Sequence, residues 1–321
     1  MRPDLLEFPD DITAIDTGVL RPRFDASHLV VSRGRAAFVD TGTNASLPRL
    51  LAALDAKGLT PDRVDYVLLT HVHLDHAGGA GALMRALPNA VAVVHPRGAR
   101  HMIDPAKLVE GAIAVYGEAE FRRTYGDIVP IPAGRVRTVE DGERIDFHGR
   151  ALEFIHTPGH ALHHYCIVDH AAQAIFSGDT FGVSYREFDT ASGAFIFPTT
   201  TPVQFDPDAA HASIERLMSY APNAIFLTHY SRVQELERLA GDMHECLDAF
   251  VRLAEDCEDA EQRTQSMRLR MAEYLNARLD AHGVARDARM RDALLDPDVV
   301  LNVQGLEVWL ERRRSRRAGG D

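Results

Sequence analysis

An α/β fold with an added helical tail is the architecture the residue pattern predicts, on three observations. Short apolar runs alternate with helical patterns through the first part of the chain. From Arg135 on, brief strand-like runs are separated by turn residues, and after Ser231 the pattern is amphipathic helix almost to the end. The first strands are expected at 11–16, 28–32 and 36–40, the last two joined as a hairpin by Arg33-Gly34-Arg35. A helix follows from Ser46, as its N-cap, to Lys57, where Gly58 stops it. Residues 64–70 read as a buried strand running straight into His71-Val-His-Leu-Asp-His76 and then Ala77-Gly-Gly-Ala-Gly81, whose small side chains predict a helix packed closely against a neighbour. A strand at 91–95 precedes helices and loops over 96–125 that could cover a site. Further strands are expected at 136–139, 144–147, 151–156, 165–169 and 174–177. Residues 190–205 carry no charge and hold Phe195, Phe197, Pro198 and three consecutive threonines, as a lid, a pocket wall or a partner surface. Asp206-Pro207 opens a helix to Tyr220, with proline at an early helical position. A last strand at 223–228 ends at His229, and helices near 233–257, 260–282, 285–295 and 303–317 complete the chain. The change of architecture divides it into an α/β domain, 1–231, and a helical region, 232–321.

Composition narrows the function. With 321 residues, 45% of them hydrophobic and 26% charged, the chain has the length and balance of a folded protein and not of a disordered one. A net charge of −12 repels phosphate backbones and anionic membrane surfaces, so neither nucleic acid nor membrane is expected as a partner, and a small-molecule substrate is. The basic run from Arg312 to Arg317 reads as a solvated helix end. Three cysteines with no C-x-x-C pair argue against a disulfide framework and against a thiolate zinc site. The first ten residues lack an apolar signal core and no 18-residue apolar run occurs, so a cytoplasmic location is expected.

Histidine is the unusual count. Eleven of the 16 fall between His71 and His170. His71, His73, Asp75 and His76 stand on one short loop after a strand, and their imidazole and carboxylate donors suit zinc or iron. Taken alone, the two histidines would read as loop residues and Asp75 as a helix cap. Three other predicted strands also end in donors: Thr157-Pro-Gly-His160, Gly178-Asp179-Thr180 and Thr228-His229. Strand ends on one rim are where α/β folds place their sites, so five histidines and two aspartates are candidates for one centre. His163 and His164 read as supporting or core residues beside His160.

The succession H-x-H-x-D-H, T-P-G-H, S-G-D-T and a late T-H resembles the metallo-β-lactamase-fold superfamily of hydrolases over roughly residues 11 to 231. Asp40-Thr41-Gly42 is similar to that family's early D-T-G element, which supports the site without binding metal. The resemblance implies a four-layer αββα sandwich for 1–231, to which the helical region is added. It implies one metal on His71, His73 and His160, a second on Asp75, His76 and His229, and Asp179 bridging them. Two divalent ions about 3.5–4 Å apart, zinc or alternatively iron or manganese, would share a hydroxide that attacks an electrophilic carbonyl or phosphoryl group. Asp75 would orient that nucleophile and assist proton transfer.

Asp179 stands where zinc β-lactamases commonly carry cysteine, so the chain is more similar to the branch of glyoxalase II thioesterases, homoserine lactonases, phosphodiesterases and iron-dependent persulfide dioxygenases. Thr180-Phe181-Gly182 lacks the tyrosine that lactonases place soon after the bridging aspartate, and 181–189 lacks the glutathione-binding segment of glyoxalase II. The expected function is therefore hydrolysis of an ester, thioester or lactone. The alternatives are a persulfide dioxygenase, a phosphodiesterase, or a partner-binding protein that retains the metal site. Tyr185, Arg186 and Tyr230 are candidate substrate contacts. Walling the pocket, binding an acyl chain and pairing subunits as a homodimer are roles open to the helical tail.

Overall fold

The structure, a computed structural model, describes residues 4–200 and 203–318. Thr201, last of the three consecutive threonines, lies outside the described residues. Two mixed sheets are built largely from the predicted runs. The first holds β1 (Leu5–Phe8), β2 (Ile12–Asp16), β3 (Ala26–Ser32), β4 (Arg35–Val39), β5 (Val64–Leu68), β6 (Val91–Val94) and β7 (Val136–Thr138), side by side in chain order. β1 to β4 pair antiparallel and β4 to β7 parallel. The second holds β8 (Glu143–Phe147), β9 (Arg150–His156), β10 (Tyr165–Asp169), β11 (Ala174–Gly178), β12 (Ala224–Leu227) and β13 (Ser231–Val233), in the order β13-β12-β11-β10-β9-β8. Its one parallel pair among those with a described register is β11 with β12.

The sheets meet through one core cluster in which Val30, Val39, Leu68 and Val93 of the first face Phe154, Tyr165, Phe176 and Phe226 of the second. Burying each such side chain contributes about 1.5–3 kcal/mol. Tyr165 sits in this apolar layer because its hydroxyl donates to the Val93 carbonyl at 2.8 Å, so no polar atom of its ring end is stranded. The outer face of the first sheet is covered by α1 (Leu47–Ala56) and α3 (Ala80–Ala86), through Leu50, Ala53, Leu54, Leu83 and Met84. Between β5 and α3 lies the one-turn helix α2 (Leu74–Ala77), and between β6 and β7 lie α4 (Pro96–Ile103), α5 (Ala106–Tyr116) and α6 (Glu118–Thr124). The chain continues through α7 (Pro207–Ser219), α8 (Leu236–Asp256), α9 (Arg263–Ala281) and α10 (Ala288–Ala318).

Two compact units result. One comprises the chain up to His156, His163–Gly178 and Pro222–Arg232, and the other Thr157–Leu162, Asp179–Ala221 and the chain from Val233 on. The last change of unit lies beside the boundary expected at 231, while 157–162 and 179–221 belong to the unit that holds the helical tail.

Several expectations are corrected. Ser46 does stand at the N-cap of α1, but without a side-chain capping bond: the helix is entered through a 3-10 turn, Asn44–Ser46, and the Ser46 hydroxyl accepts from the Thr43 N–H at 3.2 Å. β1 was not expected, because Leu5-Leu6-Glu7-Phe8 is a run of only four residues inside an acidic terminus, too short a pattern to read as a strand. The two last helices are one: α10 runs through Pro297. Proline removes one intrahelical bond, but Leu295, Val299, Val303, Leu306 and Leu310 are all buried at three- and four-residue spacing, and that continuous apolar stripe outweighs the loss.

Candidate metal centre

In the first unit, β5 delivers the chain to the loop that carries His71 and His73, and α2 presents Asp75 and His76 within a single turn. The loop is held by Asp40, at the end of β4. Its carboxylate, 1% exposed, accepts the Thr70 N–H at 2.8 Å, the Thr70 hydroxyl at 2.8 Å, the Thr228 hydroxyl at 2.9 Å and His76 Nδ1 at 2.9 Å. One buried carboxylate thus fastens the ends of three strands. Since a carboxylate only accepts, His76 carries its proton on Nδ1 and turns the Nε2 lone pair away from Asp40. His229, after β12, is set the same way: Nδ1 donates to the Phe24 carbonyl at 2.9 Å.

The Nε2 sides of these two imidazoles converge with Asp75. Asp75 Oδ2 lies 3.7 Å from His76 Nε2 and 3.5 Å from His229 Nε2, and one donor atom from each of the three lies within 4.8 Å of the others. Those separations are long for direct hydrogen bonds and suit three donors about 2.0–2.2 Å from a shared cation. Histidines whose second nitrogen is tied to a carboxylate or a carbonyl are the usual form of metal-ligating imidazole, so the residues present fit a divalent transition metal. Asp75 is the most open of the three, its side chain 26% exposed against 0% for His76 and 6% for His229.

His71 and His73 stand next to this triad. The His71 ring centroid is 4.1 Å from that of His76 and 4.4 Å from that of His73, and the His164 ring stacks on its other side at 4.8 Å. Thr70 Oγ1 lies 3.2 Å from His71 Nδ1. The expected cover over 96–125 takes the form of α5 and α6, whose Leu108, Val109, Ile113 and Phe121 pack with Leu74 of the ligand loop. The predicted close packing of the small-residue run is also present: a methyl at Gly81 would overlap the Val129 carbonyl oxygen, and one at Gly79 would press on the Thr43 carbonyl.

The second unit brings His160 and Asp179 together, with His160 Nε2 3.4 Å from Asp179 Oδ2. The Thr157-Pro-Gly-His160 loop is seated on α7: the Ser213 hydroxyl donates to the Pro158 carbonyl at 2.6 Å and the Asp206 N–H to the Gly159 carbonyl at 2.8 Å. Gly159 is at φ +130° against the Ala210 backbone, a place where only glycine fits. Asp206 caps α7 as expected, accepting from the Ala209 N–H at 3.1 Å. His160 Nδ1 faces the Thr199 carbonyl at 3.3 Å, which sets the ring with its Nε2 toward Asp179.

Of the candidate substrate contacts, Tyr185 and Arg186 belong to the second unit and Tyr230 to the first. Tyr185 is 1% exposed and its hydroxyl donates to the Asp298 carboxylate at 3.0 Å. Arg186 donates to the Ser184 carbonyl at 2.7 Å and stands 3.4 Å from the Asp189 carboxylate. Tyr230, next to His229, is fully buried with Ala14 and Ala26, and burial raises its hydroxyl pKa. Sequence reasoning missed Asp25, which is fully buried and pushed up to about 8 by burial, an effect opposed by the imidazoles of His229 and His76. It also missed the carbonyls of Phe24 and Thr199, which no residue type announces.

Residues 20–229 match the family model described as the metallo-beta-lactamase superfamily. The chain belongs to the metallo-β-lactamase superfamily. Among its curated relatives, a hydroxyacylglutathione hydrolase of Aeromonas hydrophila is 30% identical over 199 residues, 61% of this chain and 58% of the relative. An atrochrysone carboxyl ACP thioesterase of Aspergillus fumigatus is 30% identical over 143 residues, 44% of this chain and 35% of that one. The matches therefore span only part of these relatives. An archaeal metallo-β-lactamase superfamily protein from Sulfolobus tokodaii superposes with a TM-score of 0.65 over 92% of this chain and 98% of its own, at 22% identity, which establishes the fold. Within the superfamily's motif order, His71 and His73 follow β5, Asp75 and His76 lie in α2 just beyond them, His160 follows β9, Asp179 follows β11 and His229 follows β12, while Asp40 of the D-T-G element accepts from His76.

Proposed function

We propose that the protein is a dinuclear metal-dependent hydrolase whose substrate is a small ester, thioester or lactone, with thioesters foremost. The observation that carries this reading is the Asp75, His76 and His229 triad, whose donor atoms lie within 4.8 Å of one another and whose imidazoles are each backed by a fixed acceptor. His71, His73 and His160 would hold the first ion, Asp75, His76 and His229 the second, and Asp179 would touch both. Divalent ions bound there would lower the pKa of a water and polarise the substrate carbonyl. Zinc suits the all-imidazole and carboxylate donor set, with iron or manganese as the other candidates.

The chain's own residues have distinct tasks in this reading. Asp75, the most open of its triad, orients the attacking water and takes up its proton. Asp40 keeps His76 in the tautomer that presents Nε2, and the Phe24 carbonyl does the same for His229. Two relatives whose names denote a glutathione thioester hydrolase and an acyl-carrier thioesterase support a thioester over a phosphodiester, as does the net charge of −12, which disfavours a polyanionic substrate.

The test is elemental analysis of protein purified without chelator, followed by a panel of thioesters, lactones, phosphodiesters and persulfides on the same sample. Two ions per chain and turnover of a thioester or lactone are expected. Metal-free protein that refuses zinc, or turnover of a persulfide with oxygen uptake alone, overturns the proposal.

A further inference from the structure

The helical unit holds a polar residue that the proposed chemistry does not use. Asn302, in α10, is 1% exposed and lies beside Val303 on the helix's buried side, a setting usually filled by an apolar side chain. It is fully engaged. Its Oδ1 accepts the Thr200 N–H at 2.5 Å, its Nδ2 donates to the Pro198 carbonyl at 3.3 Å, and its main-chain carbonyl accepts the Thr200 hydroxyl at 2.9 Å. The partners fix the orientation of the amide, since an N–H can only donate and a carbonyl can only accept.

The Thr200 N–H and the Thr199 carbonyl belong to one peptide group. That same carbonyl accepts from His160 Nδ1 at 3.3 Å. A directional chain of hydrogen bonds therefore runs from the His160 ring through the 199–200 peptide to Asn302 Oδ1. Each bond in such a chain polarises the next, and the peptide, held from both sides, cannot rotate its carbonyl off the imidazole.

We propose that Asn302 is a positioning residue for the metal ligand His160, acting through the 199–200 peptide. The inference rests on the reading of His160 as a ligand given above. Asn302 fixes the carbonyl, the carbonyl keeps the proton on Nδ1, and Nε2 is thereby held as the donor facing Asp179. The C-terminal helix is then part of the metal centre's support and not a packing extension alone.

Full-length Asn302→Leu, Asn302→Asp and His160→Ala proteins test this, each compared with the parent. Zinc affinity is read by competition with a chromophoric chelator, the ligand field by the visible absorption of the cobalt(II)-loaded protein, and fold stability by melting of the chelator-stripped protein. Asn302→Leu is expected to weaken one of the bound zinc ions by about 10–100-fold and to alter the cobalt spectrum. Asn302→Asp keeps the acceptor for the Thr200 N–H but sets a second oxygen against the Pro198 carbonyl, so both readings are expected to fall between those of the parent and of Asn302→Leu. In a His160→Ala background, Asn302→Leu adds no further loss. A lowered melting temperature with unchanged zinc affinity and cobalt spectrum overturns the role of Asn302, as does an equal loss in the His160→Ala background. If His160→Ala alone changes neither reading, the ligand assignment itself fails. Nitrogen NMR of the parent protein gives an answer independent of any variant: a proton on His160 Nδ1 is expected, and an Nε2–H tautomer contradicts the proposal.

Discussion

The Asp40 carboxylate gathers the Thr70 backbone and hydroxyl, the Thr228 hydroxyl and His76 Nδ1, all donors, into one buried knot. Asp40→Asn turns one of its two acceptor atoms into a donor that faces a donor. We expect the variant to bind zinc about 10–100-fold more weakly and to lose about 1–3 kcal/mol of stability, measured by chelator competition and by melting of the zinc-free protein. His28 is the buried histidine of β3, and burial pushes it down to about 3. It stays neutral in the fold while the unfolded chain takes up a proton near 6.5. Its contribution is therefore complete above pH 6.5 and is lost as the pH falls from there towards 3, at up to about 1.4 kcal/mol per pH unit. His28→Gln should flatten the acid limb of the urea-denaturation profile across that window; parallel limbs would rule the assignment out. At this scale the motif residues were legible because metal chemistry demands particular side chains at particular strand ends. Their backing was only half legible: Asp40 has a residue type, whereas the Phe24 and Thr199 carbonyls are backbone atoms that any residue supplies.

Among the elements, α3 shows why glycine stands where it does. The Gly81 position abuts the Val129 carbonyl so closely that a methyl group forces a shift of backbone. Gly81→Ala should cost about 1–3 kcal/mol by overpacking, seen as a lowered melting temperature, despite alanine's better helix propensity. An unchanged or raised temperature would mean that α3 can move away. This packing was legible in the run of small residues before any coordinates. The helical tail was less so. Pro297 reads as a helix end in a linear pattern, and only the apolar stripe from Leu295 to Leu310, meeting α8 and α9 in three dimensions, makes one helix of two. The segment 190–205 was conspicuous for its lack of charge, but its attachment to Asn302 could not be read, because one buried asparagine among apolar residues carries no local pattern.

For the whole molecule, the division into two compact units puts five predicted ligands in one and His160 and Asp179 in the other. If both units supply donors to the same ions, metal should stabilise the native chain well beyond one unit's share. Zinc at a hundredfold excess over its dissociation constant adds about 2.7 kcal/mol per site. Stripping with chelator should therefore lower the melting temperature, and readdition of zinc should restore it. A melting temperature indifferent to zinc would argue that the donors never share an ion. Fold class and motif order at this scale were open to sequence reasoning, since alternating runs and strand-end donors recur along the chain. The grouping of 157–162 and 179–221 with the helical tail was not, because it depends on contacts between distant segments.

In the proposed centre, seven side chains that follow four strands hold two cations. Anomalous diffraction at the zinc edge from crystals of the zinc-loaded protein measures this directly. Two peaks are predicted, one within bonding distance of Asp75, His76 and His229 and one of His71, His73 and His160, with Asp179 reaching both. A single peak, or zinc bound elsewhere with these donors apart, would contradict it.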